Sequence, residues 1–192
     1  MSDIYWVRHG PTHERAFTGW RDVPADLSDH AQIDRLNQFL PMDALVVSSD
    51  LKRAMDTATA LQGNRVRLPH HKDLREFDFG EWDGKHFSEV SNTHPELSRA
   101  YWEKPGDVAA PGGESWNMVV TRVDSAVDVL LAAYPNRPII AVAHFGVILT
   151  QLQRGLGVTP YQALSHTIDN FSINHVTYPP RPVAAPLINH LP

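Results

Sequence analysis

Ile4-Tyr5-Trp6-Val7-Arg8-His9-Gly10-Pro11 is the stretch that decides how this chain folds. Its first four residues are aromatic or β-branched, and Gly-Pro comes almost at once after them. That predicts a buried first strand ending where its loop begins. Working outward, Ile33, Leu36 and Leu40 share one helical face, with Ser28 as the expected cap. Ala44 to Val47 reads as a second short strand, Ser48-Ser49-Asp50 as its loop, and Leu51 to about Leu61 as a helix. Residues 63 to 114 are irregular and rich in charge, aromatics, Gly and Pro, and are read as an excursion within a single domain spanning 1–192. Ser115 should cap a helix to about Ala133 carrying Val119, Val123, Val127 and Leu130, and Pro135 breaks the chain. Ile139 to Ala143 is the clearest buried strand, and the helix after His144-Phe145-Gly146 should stop near Gly155 and Gly157. Phe171–Tyr178 and Pro186–Asn189 would close the chain as a strand pair around a proline-rich turn.

Strands alternating with helices indicate an α/β fold with a largely parallel sheet. Ligands of such sheets bind beyond the carboxyl ends of the strands. Three segments land there: Arg8-His9-Gly10, Ser48-Ser49-Asp50 and His144. Their convergence places two histidines and at least one arginine in one site.

Composition narrows the chemistry. The 192 residues include 42% hydrophobic and 20% charged, ordinary for a globular enzyme with one core. The formal net charge of −5 provides no basic field for nucleic acid, so an anionic substrate needs a local cluster of cations. With no cysteine, there is no disulfide, thiolate nucleophile or cysteine-ligated zinc. Neither a signal-peptide pattern nor an uninterrupted apolar run of membrane-spanning length is present, so a soluble cytoplasmic protein without a membrane partner is expected. A second copy could pair on the exposed face of the excursion, though nothing requires it.

In the opening motif, Gly10 permits close backbone approach and Arg8 presents a planar fork suited to phosphate. His9 could be a nucleophile with its other ring nitrogen fixed by a backbone acceptor, or a histidine packed under a loop. Arg53 could bind an anion or be solvated, and His144 could be a site residue or a satisfied structural one. Glu76 cannot be chosen over Asp73, Asp78 and Glu81 by pattern alone. His70-His71 with Asp73 can be drawn as a metal site, but adjacent histidines in a charged loop read better as solvated. Trp20, Trp82, Trp102 and Trp116 are divided between substrate mouth and core packing.

Taken in order, the motifs resemble the histidine phosphatase superfamily, the phosphoglycerate-mutase-like proteins, along almost the whole chain. Arg8-His9-Gly10 resembles the family's defining motif, Phe17 to Pro24 its substrate loop, and Ser48 to Ala54 the segment with its second phosphate-binding arginine. Leu74 to Gly84 resembles the segment with the acid/base carboxylate; Pro111 to Ser115 and Val142 to Ile148 complete the series. Within the family, Leu74–Gly84 and Pro111–Ser115 are most similar to the α-ribazole-phosphatase-like and broad-specificity branch. The resemblance implies a three-layer α/β/α sandwich with the excursion over the active site. It further implies catalysis by His9 as nucleophile, Glu76 as acid and base, and Arg8, Arg53 and His144 around the phosphoryl oxygens. Thr12, Thr18, Gly19 and Arg15 fall in the substrate-binding region. Neither metal nor cofactor is implied, and the partner is a small phosphorylated metabolite.

Three departures concern specificity. Pro11 stands where an acidic residue commonly follows the motif, the segment between His9 and Thr18 is short, and Phe145 replaces a small residue. Cofactor-dependent mutases resemble the same core but carry more basic residues in the excursion. Residues 77 to 114 here hold only Lys85, Arg99 and Lys104, which favours phosphomonoester hydrolysis. A non-catalytic phospho-ligand module of the same fold is the other alternative.

Overall fold

The computed structural model describes residues 2–179 and 186–192. The strands are β1 (Ser2–Arg8), β2 (Leu45–Ser48), β3 (Val66–Arg67), β4 (Ile139–Ala143) and β5 (Ile173–Tyr178). The helices are α1 (His30–Phe39), α2 (Lys52–Gln62), α3 (Phe87–Thr93), α4 (Pro95–Glu103), α5 (Trp116–Ala133), α6 (Phe145–Leu156) and α7 (Pro160–Ala163). One sheet in the order β3-β2-β4-β1-β5 joins all five strands, parallel except for the β1–β5 pair.

Strand composition explains the layering. Every residue of β2 and of β4 is buried, as expected of parallel strands covered on both faces. Successive side chains then serve opposite layers. Ile139, Ala141 and Ala143 join Ile4 and Trp6 in a core with Val119, Val123 and Val127 of α5 and Ile148 and Leu152 of α6. Ile140 and Val142 join Val7 and Val46 in a second core with Ile33 and Leu36 of α1 and Ala54 and Ala58 of α2. The fold is therefore a three-layer α/β/α sandwich. Each fully buried Ile or Leu contributes about 1.5–3 kcal/mol relative to an exposed one, so the central strands anchor the site built at their ends.

Local signals set the helix ends with some differences. Asp29 caps α1 by accepting from Gln32 N–H, displacing Ser28 from the expected role by one residue. Ser115 caps α5 through Met118 N–H, and Gly157 ends α6 in the left-handed conformation. The excursion is more ordered than its composition suggested. It contributes β3 to the central sheet, then 3-10 turns at Lys72–Leu74 and Gly80–Trp82 and the paired helices α3 and α4. The expected closing strand Pro186–Asn189 does not form; this segment instead tracks β5 through His175 N–H to Leu187 O and an isolated antiparallel bridge between Ile173 and His190. Most of the proline-rich turn between them lies outside the described residues. No described helix is long and apolar enough to cross a membrane.

Candidate active site

Register brings the first three segments together. β1 and β4 pair in parallel with Arg8 opposite Ala143, so His9 and His144 leave adjacent strand ends side by side. β2 lies on the other side of β4 with Ser48 opposite Val142, which adds Ser49. The rings of His9 and His144 are 5.1 Å apart between centroids, and Ser49 Oγ lies 2.6 Å from His144 Nε2.

His9 is held on every side but one. Its N–H donates to Ala143 O at 3.1 Å, and its carbonyl accepts from Asn170 Nδ2 at 2.8 Å. Ring atom Nδ1 lies 2.7 Å from Gly10 O, an acceptor, so Nδ1 carries the proton and Nε2 keeps its lone pair. Burial, with the neighbouring Arg53 charge next, pushes the imidazole pKa down to about 3; the Gly10 carbonyl opposes this. His9 is thus a neutral base at ordinary pH. Gly10 is required by close packing rather than by a left-handed turn: a Cβ there would meet Phe171 Cζ at 2.8 Å and Asp26 O at 2.9 Å. Its N–H donates to Thr57 Oγ1, which in turn donates to Arg53 O.

His144 is fully buried and held well below the ordinary imidazole range, chiefly by burial and then by Arg53. Ser49 Oγ accepts from Leu51 N–H at 3.4 Å and pairs with His144 Nε2 at 2.6 Å. The other ring nitrogen, Nδ1, is buried with no protein partner. A buried polar atom without a partner is costly unless a ligand supplies one.

Two arginines flank the histidines. Arg53, from the first turn of α2, is buried; its Nη2 donates to Gly19 O at 2.7 Å and Thr18 O at 3.4 Å, and its Nη1 to Arg21 O at 3.0 Å. Arg8 Nη1 donates to Ile168 O at 2.6 Å, while its Nε is buried without a partner. The Arg8 guanidinium lies 5.5 Å from the centre of the Phe145 ring. Carbonyls thus aim both guanidiniums without neutralising them.

Glu76 is buried, and desolvation raises its carboxyl pKa. Phe77 N–H, Gly146 N–H and the charges of Arg53 and Arg8 act in the opposite sense. A Cβ on residue 146 would lie 2.7 Å from Glu76 Oε1, so glycine is required at the start of α6. The Glu76 backbone is clamped from two sides. Trp20 Nε1 donates to its carbonyl at 2.8 Å, and Arg122 reaches the carbonyls of Asp73, Arg75 and Glu76 while its Nε and Nη2 grip Glu114. Glu114 Oε2 also accepts from Asp78 N–H.

These groups face a cavity of about 320 Å³. Arg8, His9, Thr12, Thr18, Arg53 and Glu76 line it. His144 stands behind His9 rather than on the cavity wall. Gly19 is buried and serves through its carbonyl on Arg53, and Arg15 is exposed and off the cavity wall, so neither sits where a substrate-binding residue was expected. Thr12 Oγ1 accepts from Glu14 N–H at 3.4 Å, and Thr18 Oγ1 donates to Ala16 O. Of the tryptophans divided between mouth and core, Trp102 lines the cavity and Trp82 and Trp116 are core residues, while Trp20 is partly exposed and backs Glu76. His70 Nδ1 lies near Ser48 Oγ and Arg67, and His71 Nδ1 accepts from Asp73 N–H. Among the described residues no three His, Asp or Glu side chains form a metal-holding group.

Ser49, Thr57, Asn170, Arg122 and Trp20 are the supporting residues whose roles only the structure reveals. Arg122 carried the one usable sequence signal, a guanidinium between the buried Val119 and Val123 of an apolar helix.

Known proteins share this arrangement of the chain. A bifunctional protein of Mycobacterium tuberculosis is 35% identical over 164 residues, which cover 78% of this chain and 43% of that protein, so the chain spans less than half of that relative's length. A glucosyl-3-phosphoglycerate phosphatase of Mycolicibacterium vanbaalenii is 36% identical over 179 residues, 84% of this chain and 78% of that one. The structure of Bacillus stearothermophilus YhfR superimposes with a TM-score of 0.85 at 25% identity, covering 96% of each chain. Residues 4–190 match the histidine phosphatase superfamily (branch 1), and with the relatives above this establishes that the chain belongs to that family.

Proposed function

We propose that this chain is a metal-independent phosphomonoester hydrolase that acts on a small phosphorylated metabolite through a phosphohistidine at His9. One observation carries the reading. His9 is buried and neutral, with Nδ1 tied to Gly10 O, and lines a cavity whose cations are Arg8 and Arg53. Membership of the family and the phosphatase named among the relatives support it.

In the first step His9 Nε2 forms a bond to phosphorus while the phosphorus–oxygen ester bond breaks. The departing oxygen keeps that electron pair and takes the proton of Glu76. Arg8 and Arg53, which line the cavity, offset the charge on the phosphoryl oxygens. The imidazolium character acquired by His9 faces the Gly10 carbonyl. In the second step the Glu76 carboxylate takes a proton from water, and the water oxygen attacks phosphorus. The phosphorus–nitrogen pair returns to His9, inorganic phosphate leaves, and Glu76 is protonated again. A carboxyl raised by burial suits both duties, because its two forms then coexist nearer neutrality.

The test is hydrolysis of p-nitrophenyl phosphate and a broad phosphomonoester panel in the presence of EDTA. The expected result is phosphate release by the wild type and none above background by His9→Ala. Equal behaviour of the two proteins across the panel would sink the proposal.

A further inference from the structure

The cavity has a second half that the phosphoryl chemistry does not use. Beyond Arg8, His9, Arg53 and Glu76, five of its wall residues are aromatic, Phe17, Phe79, Phe87, Trp102 and Phe145, and Thr12, Glu14, Ala16 and Thr18 complete the lining. Phe17 ties them together, with its ring 4.4 Å from Phe87, 4.9 Å from Phe79 and 6.2 Å from Trp102, the last pair nearly parallel. Phe87 remains 50% exposed and Trp102 36%, so two large aromatic faces stand at the mouth of a polar site. Exposed apolar surface grouped beside a polar centre marks a ligand surface.

Charge on this half is equally specific. Arg8 and Arg53 are the only cations on the described wall, and both belong to the phosphoryl end. The further charged residue is Glu14, whose carboxylate pairs with the half-exposed Arg21 at 2.8 Å. A substrate whose alcohol carries a carboxylate would meet Glu14 and no cation of the described wall besides the phosphoryl-end pair, and a like charge placed there opposes binding.

We infer that the alcohol released by this site is uncharged and carries an apolar ring, seated between Trp102, Phe87 and Phe145 beside Glu14. A smaller cavity of about 40 Å³ adjoins this wall and shares Glu76, Phe79, Trp102 and Phe145 with it. Its other walls include Tyr101, Trp116, Val108 and Leu149, so the surroundings stay apolar behind Trp102. The inference rests on the hydrolase reading above but distinguishes this site from one built for phosphoglycerate-like esters. Phe145 holds both halves together, backing the Arg8 guanidinium and closing the apolar wall.

The experiment compares kcat/KM for three esters of alcohols that differ in character: benzyl phosphate, glycerol 1-phosphate and 3-phosphoglycerate. Benzyl phosphate should exceed each of the others by roughly tenfold or more, the range open to apolar pocket contacts. Trp102→Ala should remove about tenfold from benzyl phosphate and leave glycerol 1-phosphate unchanged. Phe87→Ala, at a half-exposed position where folding is less at risk, should act in the same direction. Glu14→Gln removes the like charge from this wall, Arg21 keeping Asp83 as its partner, and should raise turnover of 3-phosphoglycerate several-fold relative to benzyl phosphate. The inference is overturned if 3-phosphoglycerate equals or exceeds benzyl phosphate, or if both aromatic variants slow all three esters alike. Absence of phosphate release from every ester, p-nitrophenyl phosphate included, overturns the hydrolase reading itself and the inference with it.

Discussion

The two halves of the cavity are built by different kinds of structure. The phosphoryl half stands on the ends of three adjacent parallel strands, each locked in register and the central one buried on both faces. The alcohol half is made by loop and excursion residues that meet through side-chain packing, from Phe17 to Phe87 and Trp102. Rigid strand ends fix positions closely, as transfer of a phosphoryl group demands. Packed aromatics tolerate exchange, so this is where relatives of one fold can diverge in substrate.

Breaking one half at a time should have graded effects. Arg53→Met should have the largest effect among residues other than His9, lowering kcat for every ester by roughly 10²–10³, as expected for loss of a preorganised charge at the transition state. A smaller loss confined to one class of alcohol would transfer Arg53 to the other half. Glu76→Gln should slow the first step about 10² for alkyl esters and much less for p-nitrophenyl phosphate, whose leaving group needs little protonation, so a burst of p-nitrophenol survives while steady turnover of both falls. The pH dependence has a definite sign. The acid form of Glu76 does the protonating and its pKa is raised, so alkyl-ester turnover should fall as pH rises through that value. The variant should show no such alkaline limb. Arg122→Met should act through Glu76, slowing the first step roughly tenfold for alkyl esters while the p-nitrophenol burst from p-nitrophenyl phosphate changes little. A uniform loss, matched by a fall in folded protein, would make Arg122 a purely structural residue.

Legibility in the sequence differs between the halves for the same reason. Ile4–Val7 and Ile139–Ala143 advertise buried strands by composition alone, and topology then places the residues at their carboxyl ends. Arg8, His9 and His144 could therefore be assembled from local pattern. Glu76 could not be separated from Asp73, Asp78 and Glu81 without the resemblance, because what singles it out is non-local. Trp20, Arg122 and the Gly146 N–H reach it across 56, 46 and 70 residues of chain. The two residues of β3 carry no sequence period, and α3 and α4 are each short and half-exposed, so none of the three has a local periodic signature. The Pro95 at the start of α4 was an available signal for a helix N-terminus. Arg15 was the opposite case, a cation near the motif in sequence but exposed and off the cavity wall.

Stability supplies the smallest and most general test. Burial holds the His9 pKa at about 3, and His144 is also strongly lowered, whereas an unfolded histidine titrates near 6.5. Below about pH 6.5 the unfolded chain takes protons that these two sites refuse, so the folded state loses stability as pH falls, by about 1.4 kcal/mol per pH unit for each histidine. Between pH 6.5 and pH 5, wild type should therefore lose about 2 kcal/mol more than His9→Ala in urea unfolding. Parallel losses in the two proteins would show that His9 already accepts a proton when folded.

The central claim is that His9 carries the phosphoryl group, and trapping tests it most directly. Glu76→Gln lacks the base for the second step, so mixing it with p-nitrophenyl phosphate and quenching in alkali should accumulate a phosphoenzyme. Mass spectrometry should place the phosphoryl group on His9 in that protein and find none in the Glu76→Gln, His9→Ala double variant. An acid-labile phosphoryl group on the double variant, or on any residue other than His9, would contradict the account.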